Sequence, residues 1–261
     1  MIKLIASDLD GTLLLNGAQQ LSNDTLELVR QLINKGIYFV SASGRQYANQ
    51  KRLWKELSNN ILFICENGAL TMYHDNILTK TPMDRQIGIE IAKDIQNRDG
   101  CEVTINAKDT VFLCPKYDFI ERHMKDTVKY NVTTISDFSQ INEEILKIAV
   151  YEEKSISRSK DYFKSRWSDK VNTAVSGLEW LDFTHKDANK GNALAYIQQK
   201  LGVSPEETCV FGDNFNDIEM LQQAKYSYVM ENASNEIKNY GAYTTPSVEL
   251  VLKDILHRLD A

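Results

Sequence analysis

Cysteine and histidine are scarce in this chain of 261 residues, and neither is arranged for metal binding or cross-linking. Cys65, Cys101, Cys114 and Cys209 lie far apart, mostly inside apolar runs, which reads as buried thiols rather than a disulfide or zinc framework. His74, His123, His185 and His257 show no ligand spacing. No run approaches the ~20 apolar residues of a membrane span, so no membrane partner is expected. The first residues carry no basic stretch leading into an apolar leader, and a cytoplasmic location is expected. Net charge is -6 without a basic cluster, which argues against a nucleic-acid partner. There is no internal repeat, low-complexity tract or Pro/Gly/Ser-rich linker. No sustained heptad or broad apolar stripe indicates self-association, so the oligomeric state stays open and a monomer is compatible.

What is present is an ordinary globular composition, 43% apolar and 25% charged, long enough for one large or two small domains. Short apolar runs alternate with amphipathic stretches. Residues 2–7 read as a buried strand, 22–35 as a helix capped by Ser22 and stopped at Gly36, 37–40 as a strand, 47–57 as a helix and 61–65 as a third strand. Such alternation predicts right-handed parallel βαβ units, an α/β class in which ligands bind beyond the carboxyl ends of the strands. The pattern resumes with a helix over 190–201, a strand over 208–211, a helix running through Gln223, strands over 226–230 and 242–244, and a helix over 248–259.

Between these halves the rhythm changes. Helices are expected near 84–97, 117–128 and 157–167, with strand-like runs at 101–105, 110–114, 145–151, 171–175 and 179–183. The expected organisation is therefore a Rossmann-like core from residues 1–81 and 184–261, with an α+β cap over 82–183 placed as a lid.

The chemistry-bearing residues follow predicted strand ends. Asp8-Leu9-Asp10-Gly11-Thr12 puts two carboxylates two positions apart, and Gly11 lets the chain break into a loop that turns both toward one pocket. Paired acids need a counter-charge, and Mg²⁺ with its preference for oxygen ligands is the natural one. Taken singly, the other candidates have ordinary readings: Ser43 as a turn former, Lys190 as a solvated helix residue, Asn216 and Asp217 as helix caps. Arg45 could touch a substrate or pair with a structural carboxylate, and the same two readings apply to the Glu66-Asn67-Gly68 turn.

Together, DLDGTLL from Asp8, SASGR around Ser43, NKGNAL around Lys190 and GDNFNDIEML around Asp213 resemble, in order and setting, the motifs of the haloacid dehalogenase superfamily. The lid placement resembles its Cof-type, C2-capped sugar-phosphatase branch. The resemblance implies a phosphatase acting on a small phosphate ester, sugar phosphates first among them, through an aspartyl-phosphate on Asp8. Asp10 would serve as acid and then base, and Lys190 would supply positive charge. Mg²⁺ would be held by Asp8, the Asp10 carbonyl and Asp213, with Asp217 supporting from behind. Ser43, Asn216 and the Leu9 and Gly44 backbone N–H groups would hold phosphoryl oxygens, with Arg45 beside them. A phosphosugar mutase shares these motifs, and a non-catalytic phosphometabolite-binding regulator could share the fold. A carbon-centred dehalogenase would need neither Asp10 nor the Asp213 loop.

Overall fold

The computed structural model describes residues 1–260. Strand β1 (Leu4–Ser7) is wholly buried and leads into the acidic loop. Helix α1 (Asn23–Asn34) starts where the Ser22 hydroxyl accepts the Thr25 N–H at 3.0 Å, and Gly36 takes the positive φ that turns the chain back. Then come β2 (Tyr38–Ala42), α2 (Tyr47–Trp54) and β3 (Leu62–Cys65), and β1, β2 and β3 pair in parallel. After the Glu66–Gly68 turn a hairpin extends the sheet with two antiparallel strands, β4 (Leu70–Tyr73) and β5 (Asn76–Lys80). Periodicity alone does not reveal this hairpin. Its turn residues His74 and Asp75 both sit at positive φ in place of the usual Asn-Gly, and β5 is largely solvent-facing.

The second layer comprises α3 (Arg85–Gln96), β6 (Cys101–Asn106), β7 (Val111–Leu113), α4 (Asp118–Arg122, prolonged by a π turn to Thr127), β8 (Val132–Thr134), β9 (Lys147–Glu152), α5 (Lys160–Trp167), β10 (Asn172–Val175) and β11 (Trp180–Thr184). Its six strands lie in the order β10-β11-β9-β6-β7-β8. Val103, Ile105, Ile148, Val150, Leu181 and Phe183 point to one face and pack with Ile91 and Ile95 of α3 and with Phe163 and Trp167 of α5. β8, short and polar, is absent from the sequence expectation.

The chain then returns through α6 (Lys190–Leu201), β12 (Thr208–Gly212), α7 (Ile218–Leu221), β13 (Tyr226–Met230), α8 (Asn235–Lys238), β14 (Tyr243–Thr245) and α9 (Val248–Asp260). The first sheet runs β14-β13-β12-β1-β2-β3-β4-β5. Alternate residues feed two cores. Ile5, Phe39 and Phe63 join Val29, Leu32 and Leu252 on one face, while Leu4, Ala6, Val40 and Ile64 join Leu194 and Ile197 on the other. β1 lies between β2 and β12, so the chain leaves it in one direction and comes back on its other side. That reversal opens a crevice beyond the carboxyl end of β1, where Asp8 stands. No helix among the described residues is long and apolar enough to cross a membrane.

Candidate active site

Asp8 follows β1 directly, and its backbone N–H donates to the Phe211 carbonyl at 3.0 Å, which continues the β1–β12 ladder by one rung. Its carboxylate is buried and accepts from Lys190 Nζ at 2.6 Å. Lys190, the first residue of α6, is fully buried and also donates to Asp217 Oδ1 at 2.7 Å. The other Asp217 oxygen accepts the backbone N–H groups of Asp213 and Asn214 at 3.0 and 3.1 Å. Both Asp217 oxygens are thus spent on Lys190 and on the shape of the 213–217 loop. Asp213 receives the Thr12 hydroxyl at 3.0 Å, and Asp8, Asp213 and Asp217 form a cluster with carboxylate oxygens within 4.8 Å of one another.

Crowded acids in a dry site resist ionisation. Burial raises the Asp8 carboxyl well above its usual range; Lys190 pulls it back, while Asp217, Asp213 and Asp10 push it up. Asp213 is pushed up to about 7, by burial first and by Asp217 next. Burial would by itself lower the Lys190 ammonium, but Asp217 and Asp8 hold it above the ordinary lysine value. One ammonium faces three carboxylates, so the cluster is short of positive charge.

Gly11 makes the cluster possible. Its φ of +89° is in the left-handed region, and a Cβ there would sit 2.2 Å from Asp213 Oδ2. Gly11→Ala is expected to displace the Asp213 carboxylate and to lower turnover about 100-fold, the scale of a ~1 Å misplacement at a reacting centre. Comparing kcat with wild type checks this, and an unchanged kcat would show that the contact is immaterial. Asn232 Nδ2 also ties this loop, donating to the Gly11 carbonyl at 3.0 Å.

Asp10 faces the other way. Half of its side chain is exposed, and Arg45 grips it with a two-pronged fork, Nε to Oδ2 at 2.7 Å and Nη2 to Oδ1 at 2.5 Å. Of the two sequence readings of Arg45, the structure has it paired, and its partner is the second acid of the motif. Ser43 follows β2 and is buried; its Oγ accepts the Arg45 N–H at 3.2 Å, which leaves the hydroxyl proton to donate elsewhere. Asn216 Nδ2 donates to Asn67 Oδ1 at 3.0 Å. Leu9 buries its side chain in the core, so only its backbone can face the crevice. Asp8, Asp10, Ser43, Gly44, Arg45 and Asn216 line one cleft of about 440 Å³ between the two sheets, with Lys190, Asp213 and Asp217 behind its floor.

The second sheet closes this cleft through residues that the sequence reading did not single out. Lys147, at the start of β9, is buried and donates to the Gly44 carbonyl at 2.6 Å; it pairs with Glu66 Oε2 at 3.0 Å and lies 3.4 Å from Asp182 Oδ2. Asn67 Nδ2 donates to Asp182 Oδ2 at 2.6 Å, and Asn106 Nδ2 to Glu66 Oε2 at 2.9 Å. Burial raises the Glu66 carboxyl against the pull of Lys147, while Asp182 and Glu66 keep the Lys147 ammonium high against its own burial. The available signal was a lone lysine inside the apolar run 145–151. Gly68 lets the Glu66–Gly68 turn press against α6, since a Cβ would meet the Asn189 carbonyl oxygen at 2.2 Å. Lys147→Met would leave two buried carboxylates without their cation, and a loss of about 3–5 kcal/mol is expected in urea unfolding. A loss under about 1 kcal/mol would mean that water substitutes for the ammonium.

Residues 5–250 match the family of haloacid dehalogenase-like hydrolases. The chain is 26% identical over 247 residues to 5-amino-6-(5-phospho-D-ribitylamino)uracil phosphatase YbjI of Escherichia coli (strain K12), covering 94% of this chain and 91% of that one. It superposes on a crystal structure from Eubacterium rectale with a TM-score of 0.85 at 30% identity, over 97% of this chain and 99% of that one. The subclass IIB sugar phosphatase BT4131 shares the fold, with a TM-score of 0.83 at 21% identity over 97% and 98% of the two chains. With an acid-ended central strand, a buried lysine behind it and a match that runs nearly end to end, the chain belongs to the haloacid dehalogenase-like hydrolase family.

Proposed function

We propose that this protein is a Mg²⁺-dependent phosphatase of small phosphorylated metabolites, sugar phosphates among them, that works through an aspartyl-phosphate on Asp8. The observation that carries this reading is the buried Asp8 carboxylate, held by Lys190 inside an acidic cluster and open to the inter-sheet cleft. The E. coli relative is named for a phosphorylated ribityl aminouracil, which belongs to the same broad class. We take residues 1–81 and 184–261 as the catalytic core and 82–183 as its cap.

The donors fit a hard cation. They are carboxylate oxygens, they exceed the positive charge nearby, and the missing Cβ of Gly11 makes the space in which Asp213 sits. Asp8, Asp213 and the Asp10 carbonyl would hold Mg²⁺, which when bound neutralises this cluster and the phosphoryl oxygens.

The protein's own groups then act in two displacements. An Asp8 oxygen attacks phosphorus, the bond to the ester oxygen breaks, and Asp10 gives that oxygen its proton. Because both Asp10 oxygens accept from Arg45, proton delivery requires the fork to open as the leaving group arrives. Lys190 stays charged and offsets the dianion. The Ser43 hydroxyl, the Asn216 amide and the Leu9 and Gly44 N–H groups hold the phosphoryl oxygens. Asp10, now a carboxylate, takes a proton from the water that attacks phosphorus, which releases phosphate and restores Asp8.

The test is phosphate release from a panel of sugar phosphates and p-nitrophenyl phosphate, in Mg²⁺ and in EDTA. Release that depends on Mg²⁺ is expected. A well-folded protein that releases phosphate from none of them, or does so equally in EDTA, would refute the reading.

A further inference from the structure

Arg45 is fixed at its backbone and free only in its side chain. Its N–H donates to Ser43 Oγ, and its carbonyl accepts the Glu66 N–H and Gln50 Nε2, both at 3.3 Å. The guanidinium therefore goes where its side-chain partners hold it. Nε and Nη2 fork onto Asp10, while Nη1 donates to Asn49 Oδ1 at 3.0 Å. Asn49 in turn donates from Nδ2 to the Val128 carbonyl at 2.6 Å, in the segment that joins the π turn after α4 to β8. Asp10, Arg45, Asn49 and Val128 form one chain of hydrogen bonds, from the second acid of the first motif to the layer of the second sheet.

The middle of that chain is chemically constrained. A guanidinium only donates and a carbonyl only accepts, so the group between them must do both, and the amide can take just one orientation. Asn49 is buried within α2, where asparagine is a weak helix former and alanine would suit the helix better. Both of its polar atoms are committed to partners outside the helix. α2 meets the same segment at two further points. Gln46 and Arg52 lie three residues to either side of Asn49 and so on the same face; Gln46 Oε1 accepts the Asn131 N–H at 3.3 Å, and Arg52 donates to the Lys129 carbonyl. Lys129 takes a φ of +63°, and the carbonyls flanking that turn, 128 and 129, are the two that α2 holds.

From this chain we infer that Asn49 is a positioning residue for the proton donor: it is the partner Arg45 keeps when the fork releases Asp10, and Val128 fixes its amide for that role. Protonation of the leaving group is thereby tied to the seating of residues 128–131 on α2. Without Asn49, Asp10 is the only side-chain partner of the guanidinium among the described residues, and the fork stays shut as the ester arrives. A forked carboxylate still has lone pairs for the proton of water, so the second displacement is spared. The inference rests on the phosphatase reading of the Asp8 site and adds a residue to its first step.

The readout is a ratio: kcat/KM for p-nitrophenyl phosphate, whose phenolate leaves without a proton, over kcat/KM for the most reactive sugar phosphate of the panel, whose alkoxide needs one. Both values scale with the folded fraction, so their ratio does not. In Asn49→Ala the ratio should rise about tenfold, a modest share of what a general acid contributes. Asn49→Asp offers Arg45 a charged oxygen and opposes the Val128 carbonyl. It should return the ratio to within about threefold of wild type while lowering both kcat/KM values together. Arg52→Ala loosens the segment without touching Arg45 and should leave the ratio within about twofold. Equal loss on both esters in Asn49→Ala, an Asn49→Asp ratio as high as that of Asn49→Ala, or the same rise in Arg52→Ala would each overturn the inference while leaving the phosphatase intact. If wild type hydrolyses no sugar phosphate, the phosphatase reading is judged separately and the chain by amide hydrogen exchange, since coupling is reciprocal. Arg45→Met, which takes the donor from Asn49 Oδ1, should speed exchange at the Asn131 amide about threefold or more, and an unchanged rate would overturn the coupling.

Discussion

Replacing Asp8 by Asn is expected to lower phosphate release by on the order of 10⁴-fold or more, because an amide oxygen of the same shape is too weak a nucleophile to displace the ester. The fold should survive. Lys190 keeps its bond to Asp217, and burial already disfavours charge at position 8, so a neutral side chain removes a desolvation cost as well as an attraction. Melting within a few degrees of wild type, alongside the loss of activity, would separate chemistry from stability. Residual activity within tenfold of wild type would eliminate Asp8 as nucleophile. Asp10→Asn should behave differently: the first displacement slows, the second slows at least as much, and protein carrying one extra phosphoryl group should accumulate and be visible by mass spectrometry. Absence of that species with a good leaving group would count against the two-step scheme.

Removing divalent metal is expected to have an effect of comparable size on turnover and a measurable one on stability. Asp213 holds its proton more tightly in the folded state, up to about 7 against an ordinary 3.8. A group shifted in this direction contributes stability that is complete below its unfolded value and is lost as pH rises through its folded value. Metal-free protein should therefore lose stability between about pH 4 and pH 7, with Asp8 adding to the same slope. In the proposed metal site Mg²⁺ would replace the proton as counter-charge. At a concentration ~100 times its Kd it should add about 2.7 kcal/mol, or roughly 5–10 °C in Tm, more at pH 7.5 than at pH 5. Asp213→Asn should abolish most of the Mg²⁺ shift while making the metal-free protein less sensitive to pH. Identical melting curves and identical rates in Mg²⁺ and in EDTA would dispose of the metal reading.

The inter-sheet contacts connect these two expectations. Lys147 reaches from β9 to the Gly44 carbonyl and Asn67 reaches from the core to Asp182, so the loop carrying Ser43 is fixed partly by the second sheet. In the proposed mechanism a phosphoryl group placed by Ser43 and the Gly44 N–H would be sensitive to how the second sheet sits.

The elements that sequence made legible are those whose cause is local. Ser22, the stripe of Leu26, Val29 and Leu32, and Gly36 together define α1 within one stretch of chain. The apolar runs of β1, β2, β3 and β12 stand out because strands buried on both faces need no alternation. Asp8, Ser43, Lys190 and Asp213 could be picked out because each directly follows such a run or opens a helix next to one. The hairpin β4–β5 and the short strand β8 were missed: β5 and β8 are largely exposed, β4 is a buried run of only four residues, and their pairing depends on neighbours that propensity does not encode.

By itself, then, the sequence determined the alternating core and the likeness to a hydrolase family, and it supplied the residues on which the proposed insertion and the proposed phosphoryl chemistry rest, since all of these depend on residue type and spacing along a few turns of chain. Only the tertiary structure decided that Arg45 grips Asp10, that Asp217 spends both oxygens on Lys190 and its own loop, and that Lys147, Glu66, Asn67 and Asp182 tie the second sheet to the turn after β3. It also decided that Trp180 and His123 share a wall of the cleft. Apart from the bonds of Asp217 within its own loop, those pairings join residues 27 to 115 positions apart, and they are set by strand register and by the need of every buried charge for a partner, constraints that act only once the chain has closed on itself.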